Sequence, residues 1–185
     1  MVYVYLADGF EELEALAPVD ILRRAGVEVR TVGVTGKTVR GAHDIFVQAD
    51  ITPEEVELAS AAMLILPGGI PGTPNLEADK RVTEAIMAAN VQGKYIAAIC
   101  AAPSILGHLG ILSGRHATCY PGFESELAGA VCLTDGVVCD GNIITAKGAG
   151  RASDFAFLLA SLLVGEEKAV QVTEAMQYVQ TDCGI

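Results

Sequence analysis

Basic residues are scarce in this chain. Lys and Arg number 12 against 23 Asp and Glu, a formal charge of −11. Such an acidic surface repels phosphate backbones and anionic lipid, so neither nucleic acid nor a membrane surface is an expected partner. Long apolar runs are missing too. The richest, Phe155 to Val164, is far shorter than the roughly 20 residues that span a bilayer. No basic segment opens the chain, where the apolar Val2 to Leu6 leads almost at once to Glu11, so no secretory leader is expected. Tryptophan is absent, and five scattered cysteines lack the look of a disulfide framework. That usage points to a reducing cytoplasm. No H-x-x-H or C-x-x-C spacing offers a metal site, and no G-x-x-x-x-G-K-[ST] loop offers a phosphate cradle. Gly148-Ala149-Gly150 is too short for a dinucleotide site. Repeats, low-complexity tracts and linkers are also lacking, so residues 1–185 are expected to form one domain.

What the chain does have is apolar bulk, 51% of its residues, with 19% charged. Short β-branched runs alternate with helical patterns. Strands are expected at Val2–Leu6, Glu28–Val34, Ala62–Leu66 and Tyr95–Ile99, with a short β excursion at Ile45–Val47. Helices are expected at about Phe10–Ala25, Arg81–Val91, Cys100–Leu109, Arg151–Val164 and Glu166–Val179. Apolar strands flanked by helices mean a mostly parallel sheet covered on both faces. Ala130–Ala146 holds short strands around two Asp-Gly turns. A two-residue hairpin at Asp135-Gly136 would set Cys132 opposite Cys139 in a hydrogen-bonded pair, which suits a disulfide poorly. Free thiols are expected there.

In parallel sheets, sites gather at the carboxyl ends of the strands. Three segments fall there: Ala7-Asp8-Gly9, Pro67-Gly68-Gly69 and Cys100. Tyr95–Ile99 runs straight into Cys100 and then Ala101-Ala102-Pro103, the pattern of a nucleophile elbow. Ala98 and Ala102 supply the small residues two before and two after the nucleophile. A helix N-terminus at Cys100 would favour the thiolate. The plainer reading is a small apolar cysteine ending a buried strand. Asp8 can cap the first helix, with Glu11 three residues on in capping-box spacing. Pro18 crowds the carbonyl four residues earlier, that of Glu14, so the helix is expected to bend or restart there. A partly buried Glu14 at that point would have a raised pKa and could donate to sulfur. A carboxylate that merely serves the helix dipole is the alternative. Gly68 and Gly69 let backbone amides approach closely, and the Gly69 and Ala101 amides could form an oxyanion hole; a plain tight turn fits as well. His108 lies eight residues past Cys100 and cannot reach back as a base, and His43 and His116 read as loop residues.

Taken in order and spacing, these stretches resemble the DJ-one (ThiJ/PfpI) superfamily, most closely its bacterial YajL-like branch. The carriers are Asp8 to Glu14, Pro18-Val19-Asp20, Arg23 to Gly26, Leu66 to Gly69, Ala97 to Pro103, Asp140 to Thr145 and Lys147 to Gly150. The resemblance implies a flavodoxin-like three-layer α/β sandwich, similar to class I glutamine amidotransferases, and usually a homodimer. It implies that Cys100 is a readily sulfinated cysteine and that Glu14 is a protonated partner of its sulfur. Gly69 and Ala101 correspond to the family's amide donors.

This chain also departs from the family pattern. Tyr120-Pro121 stands where some members carry histidine before proline, so no imidazole base is expected there, although the Tyr120 hydroxyl could help. Ala101 replaces the histidine that follows the cysteine in PfpI-type proteases, which argues against a protease triad and leaves an amidase or protease a less favoured reading. His43 replaces an arginine near the dimer interface. The implied function is cofactor-free, cysteine-dependent chemistry on reactive carbonyls: methylglyoxal to lactate, or repair of glycated thiols and amines on proteins. The main alternative is a redox-sensing chaperone in which Cys100 becomes a sulfinate without turnover. A thiazole monophosphate biosynthesis role is less favoured, and a fold without physiological chemistry is the bland reading.

Overall fold

The computed structural model describes residues 1–178. Val179, expected to end the last helix, and Cys183 lie outside that range. The strands are Val2–Leu6 (β1), Val29–Gly33 (β2), Thr38–Arg40 (β3), Phe46–Gln48 (β4), Met63–Leu66 (β5), Tyr95–Ile99 (β6), His116–Ala117 (β7), Val131–Cys132 (β8), Val137–Asp140 (β9) and Ile143–Ala146 (β10). The α-helices are Glu12–Arg24 (α1), Gly72–Ala78 (α2), Lys80–Val91 (α3), Pro103–His108 (α4), Ala152–Val164 (α5) and Glu166–Ala175 (α6). The main sheet runs β2-β1-β5-β6-β10-β9, and every neighbour is parallel except the edge strand β9.

Strand residues alternate between two apolar layers. Val2, Val4 and Leu6 of β1 join Met63, Ile65, Ala97 and Ile99 in a core that includes Leu22 of α1 and Phe155 and Leu159 of α5. Tyr3 and Tyr5 join Leu64, Leu66, Ile96 and Ala98 in a second core with Val82 and Ile86 of α3 and Ile105 of α4. Burial on both faces explains why these strands read as continuous apolar runs. The result is the mostly parallel, flavodoxin-like sandwich expected from the sequence. Because β1, β5 and β6 are adjacent and parallel, the turns that follow them meet at one edge.

The excursion near Ile45 is present as β4, while the Asp135-Gly136 hairpin, the bend at Pro18 and the Asp8 cap are corrected. Helix α2 went unread because Pro71, Gly72 and Pro74 disguise it; the Thr73 amide bonds the Gly69 carbonyl at 2.8 Å and starts its turn. The excursion near Ile45 is half of an antiparallel pair, β3 with β4. The hairpin at Asp135-Gly136 does not form. β8 pairs parallel with β7, while β9 pairs antiparallel with β10 across Gly141-Asn142, leaving Cys139 opposite Ile144. The exposed edge of β10 takes β9 instead, and the Gly136 carbonyl accepts the Lys147 amide at 3.0 Å. Cys132 and Cys139 are free thiols, as expected, but they lie in different sheets. Finally, Pro18 sits within one uninterrupted helix, and Glu11 rather than Asp8 caps it, accepting the Glu14 amide at 2.7 Å. Asp8 instead accepts the Arg40 amide at 2.9 Å.

Phe155 is fully buried where α5 packs on α1 and the sheet. Phe155→Ala should lower the unfolding free energy by about 3–5 kcal/mol through lost transfer energy and a residual cavity. Urea denaturation at unchanged m-value checks this.

Candidate active site

Strand β6 delivers Cys100 to the edge where the three turns converge. Cys100 has φ +66°, a left-handed conformation that a non-glycine residue holds only when its surroundings enforce it. The enforcement is visible. Its amide donates to the Ala146 carbonyl at 2.9 Å, and its carbonyl accepts the Tyr120 amide at 2.8 Å. Ala98 and Ala102 are wholly buried, as the sharp turn requires. Helix α4, however, begins only at Pro103 and spans six residues. The expected helix-terminus effect on the thiol is therefore replaced by two individual amides, those of Gly69 and Ala101, which favour the charged sulfur and pull its pKa down against burial.

Glu14 is the third residue of α1, 1% exposed, and lies beside the Cys100 thiol, each group shifting the other's proton affinity. Its Oε2 accepts the Gly68 amide at 2.9 Å. Gly68 must be glycine. A Cβ there would lie 2.7 Å from both the Cys100 Cβ and Glu14 Oε2, and 2.9 Å from the Ile99 carbonyl oxygen. The other oxygen, Oε1, is buried without a partner. The Ala149 amide turns toward this carboxyl without completing a hydrogen bond to Oε1.

Burial raises the Glu14 carboxyl to about 7, with the charge of Glu11 adding to it; the Cys100 and Gly68 contacts only partly offset the rise. Burial likewise pushes the Cys100 thiol up to about 12, helped by the charge of Glu14 and opposed by the Ala101 and Gly69 amides. The two shifts are linked, because each group is among the causes of the other's shift. With Glu14 ionised, the proton stays on sulfur. Once Glu14 takes it, the repulsion vanishes and the same contact becomes a carboxyl donating to a thiolate. The thiol is thus not a standing thiolate but one poised against a base that titrates near neutrality.

Comparison with known proteins fits this geometry. The DJ-1/PfpI family profile matches residues 1–162. The chain belongs to the DJ-1/PfpI family. It is 35% identical to protein dj-1beta of Drosophila melanogaster over 94% of each chain. A Pyrococcus abyssi protein named a deglycase is 32% identical over 79% of this chain and 89% of its own. A DJ-1 superfamily protein of Salmonella typhimurium superposes with a TM-score of 0.92 at 36% identity, covering 96% of this chain and 98% of that one. Toxoplasma gondii DJ-1 in an oxidized form gives 0.92 at 33% identity, covering 96% and 98%. These matches do not single out the YajL-like branch.

Around the DJ-1/PfpI elbow, the other candidate residues divide. Tyr120 is 51% exposed, and its ring lies across Gly148. It lines an open groove of about 850 Å³ with Lys147, Gly148, Ala149 and Arg151. His43 is drawn to Glu12 instead of the cysteine. Its amide and Nδ1 each approach a Glu12 oxygen at 2.7 Å, and these contacts raise its pKa. Burial alone would raise Glu12, but His43 overrides it and holds the carboxylate low. Glu11, Glu12 and His43 bring ligand atoms within 4.8 Å of one another, a cluster that sequence spacing did not show. Its acidic oxygens are occupied by the helix cap and by the imidazole. His108 is held by Glu77 at 2.6 Å and Glu126 at 2.9 Å, and His116 leans on Asp140. Ala149 and Ala146 were missed as site residues because each contributes only a backbone group, which carries no side-chain signal.

The Glu14 shift has a signed consequence. Its folded-state pKa of about 7 exceeds the ordinary 4.5, so the folded chain holds an extra proton between those values. That contribution is fully present below about pH 4.5 and is lost as pH rises through 7. Wild-type protein should therefore lose more thermal stability between pH 5 and 8 than Glu14→Gln, measured by parallel melting curves. Equal slopes would remove the buried-acid assignment.

Proposed function

We propose that this protein performs cofactor-free chemistry on small reactive carbonyls or glycated protein groups, with Cys100 as nucleophile. One observation carries the reading. A strained thiol lies beside a buried carboxyl that titrates near pH 7, and the neighbouring Gly69 and Ala101 amides favour charge on the sulfur. A general base whose pKa matches the working pH is the most effective kind. As sulfur attacks the aldehyde carbon of methylglyoxal, Glu14 takes the thiol proton, and the Gly69 and Ala101 amides stabilise the developing oxyanion. Glu14 next returns its proton as the hydrogen of the aldehyde carbon shifts to the neighbouring carbonyl carbon. The first carbon is oxidised to a thioester and the second reduced to an alcohol. Water then cleaves the thioester to lactate and restores the thiol. The archaeal relative named a deglycase supports carbonyl chemistry of this class.

A redox role is the second reading. It is favoured by the absence of an imidazole beside Cys100 and by the relative solved in an oxidized form. In that case peroxide converts Cys100 to a sulfinate that Glu14 and the two amides stabilise, and partner binding changes. We further propose a homodimer, because Leu13, Ile45 and Phe46, 62%, 52% and 66% exposed, leave apolar surface near the start of α1.

Purified protein given methylglyoxal should release lactate. Cys100→Ser should abolish it, and Glu14→Gln should slow it about 10²–10⁴-fold, the usual span for losing a general base. Absence of lactate from wild type overturns the enzymatic reading. Mass spectrometry after peroxide then tests the sensor, which requires two added oxygens on Cys100 ahead of Cys119. For the dimer, sedimentation should give twice the monomer mass, reduced to monomer by Phe46→Asp.

A further inference from the structure

The cations of this acidic chain are almost all accounted for. Most meet carboxylates, as Arg23 meets Asp50 at 2.8 Å and Arg151 meets Asp154 at 3.1 Å. Lys94 and Arg115 are held by backbone carbonyls. Lys80 and Lys168 are free but exposed. Among the described Lys and Arg residues, Lys147 is the half-buried one without a carboxylate or carbonyl on its ammonium.

Its position follows from the strand register. Ala146 ends β10 and accepts the Cys100 amide at 2.9 Å, so Lys147 starts one residue beyond the nucleophile's own backbone anchor. It lines the groove with Tyr120, Gly148 and Arg151. The floor of that groove adjoins the reactive pair: a Cβ on Gly148 would stand 3.8 Å from Glu14 Oε1 and 3.3 Å from the Tyr120 ring. Oε1 is the buried carboxyl oxygen without a partner. Lys147 and Gly148 thus line one groove, and Gly148 is in turn a near neighbour of the unpartnered Glu14 oxygen.

We propose that the carbonyl substrate carries a carboxylate, placed several bonds from the aldehyde, which the Lys147 ammonium binds while Cys100 attacks. The inference rests on Cys100 acting on carbonyls, and it names the class of carbonyl. One unpaired ammonium matches one negative charge. Arg151 is already turned to Asp154, so the described residues lining the groove offer no second free cation to balance a phosphate dianion. In a chain of charge −11, an unpaired ammonium beside a groove is an uncommon point of attraction for an anion. A half-buried cation gives the discrimination more weight than an exposed one would.

The test uses reversible hemithioacetal formation, which needs no turnover. The sulfur–carbon bond forms, the carbonyl π electrons go to oxygen, and the thiol proton reaches that oxygen through Glu14. Succinate semialdehyde and butanal have the same four-carbon aldehyde chain, but only the first bears a carboxylate. Each is titrated as a protector of Cys100 against iodoacetamide, read by mass spectrometry. Wild type should be protected by succinate semialdehyde at roughly tenfold lower concentration than by butanal, the order expected for one charge-assisted contact. Lys147→Gln should remove that difference and leave butanal protection unchanged, and Lys147→Arg should restore it. Equal protection by both aldehydes in wild type, protection by neither, or a preference that survives Lys147→Gln overturns the proposal. Lactate release from methylglyoxal is scored separately, so loss of the enzymatic reading and loss of the anion preference are distinct results.

Discussion

The contact between Cys100 and Glu14 is the interaction around which this edge of the molecule is organised. Neither partner is in its ordinary state. Burial raises both, the Gly68 amide satisfies one oxygen of the carboxyl, and each group adds to or offsets the other's shift. Everything nearby serves to hold the two at contact distance. Gly68 gives up its side chain so that both fit, its amide holds one carboxyl oxygen, and the Ala146 and Tyr120 backbones hold the strained cysteine.

The sheet makes this possible. Parallel order β1-β5-β6 puts the start of α1, the glycine turn and the elbow at the same edge, although Glu14 and Gly68 are 54 residues apart in the chain. Two apolar cores fix those strands on both faces, so the turns inherit a rigid base. A strained φ at Cys100 is then affordable, since the close-packed strands leave no room to relax it.

Carbonyl addition and oxidation to sulfinate make similar demands on such a site. Both place new oxygen density beside the sulfur, and both gain from the Gly69 and Ala101 amides and from a carboxyl able to carry a proton. What separates them is access and recognition along the groove, where Tyr120, Gly148 and Lys147 stand.

The alternation of apolar strands and helices, the elbow around Cys100 with Ala98 and Ala102, and the glycine turn were all legible in the linear chain, because each is a local pattern with a local cause. Glu14 was legible only as a candidate. Its spacing to Pro18 led to an expected bend that is absent, and its depth of burial depends on β1 and the Gly68 turn packing over it. The Asp135-Gly136 hairpin failed for the same kind of reason: local turn chemistry favoured it, but the open edge of β10 offered β9 a better ladder. The pairing of His43 with Glu12, and the unpartnered Lys147 above the Cys100 anchor, join residues distant in sequence. Local propensity specifies which segments form strands, helices and turns. The contact of Cys100 with Glu14, the pKa values and the charge at the groove arise from distances between segments, and those exist only once the sheet has closed.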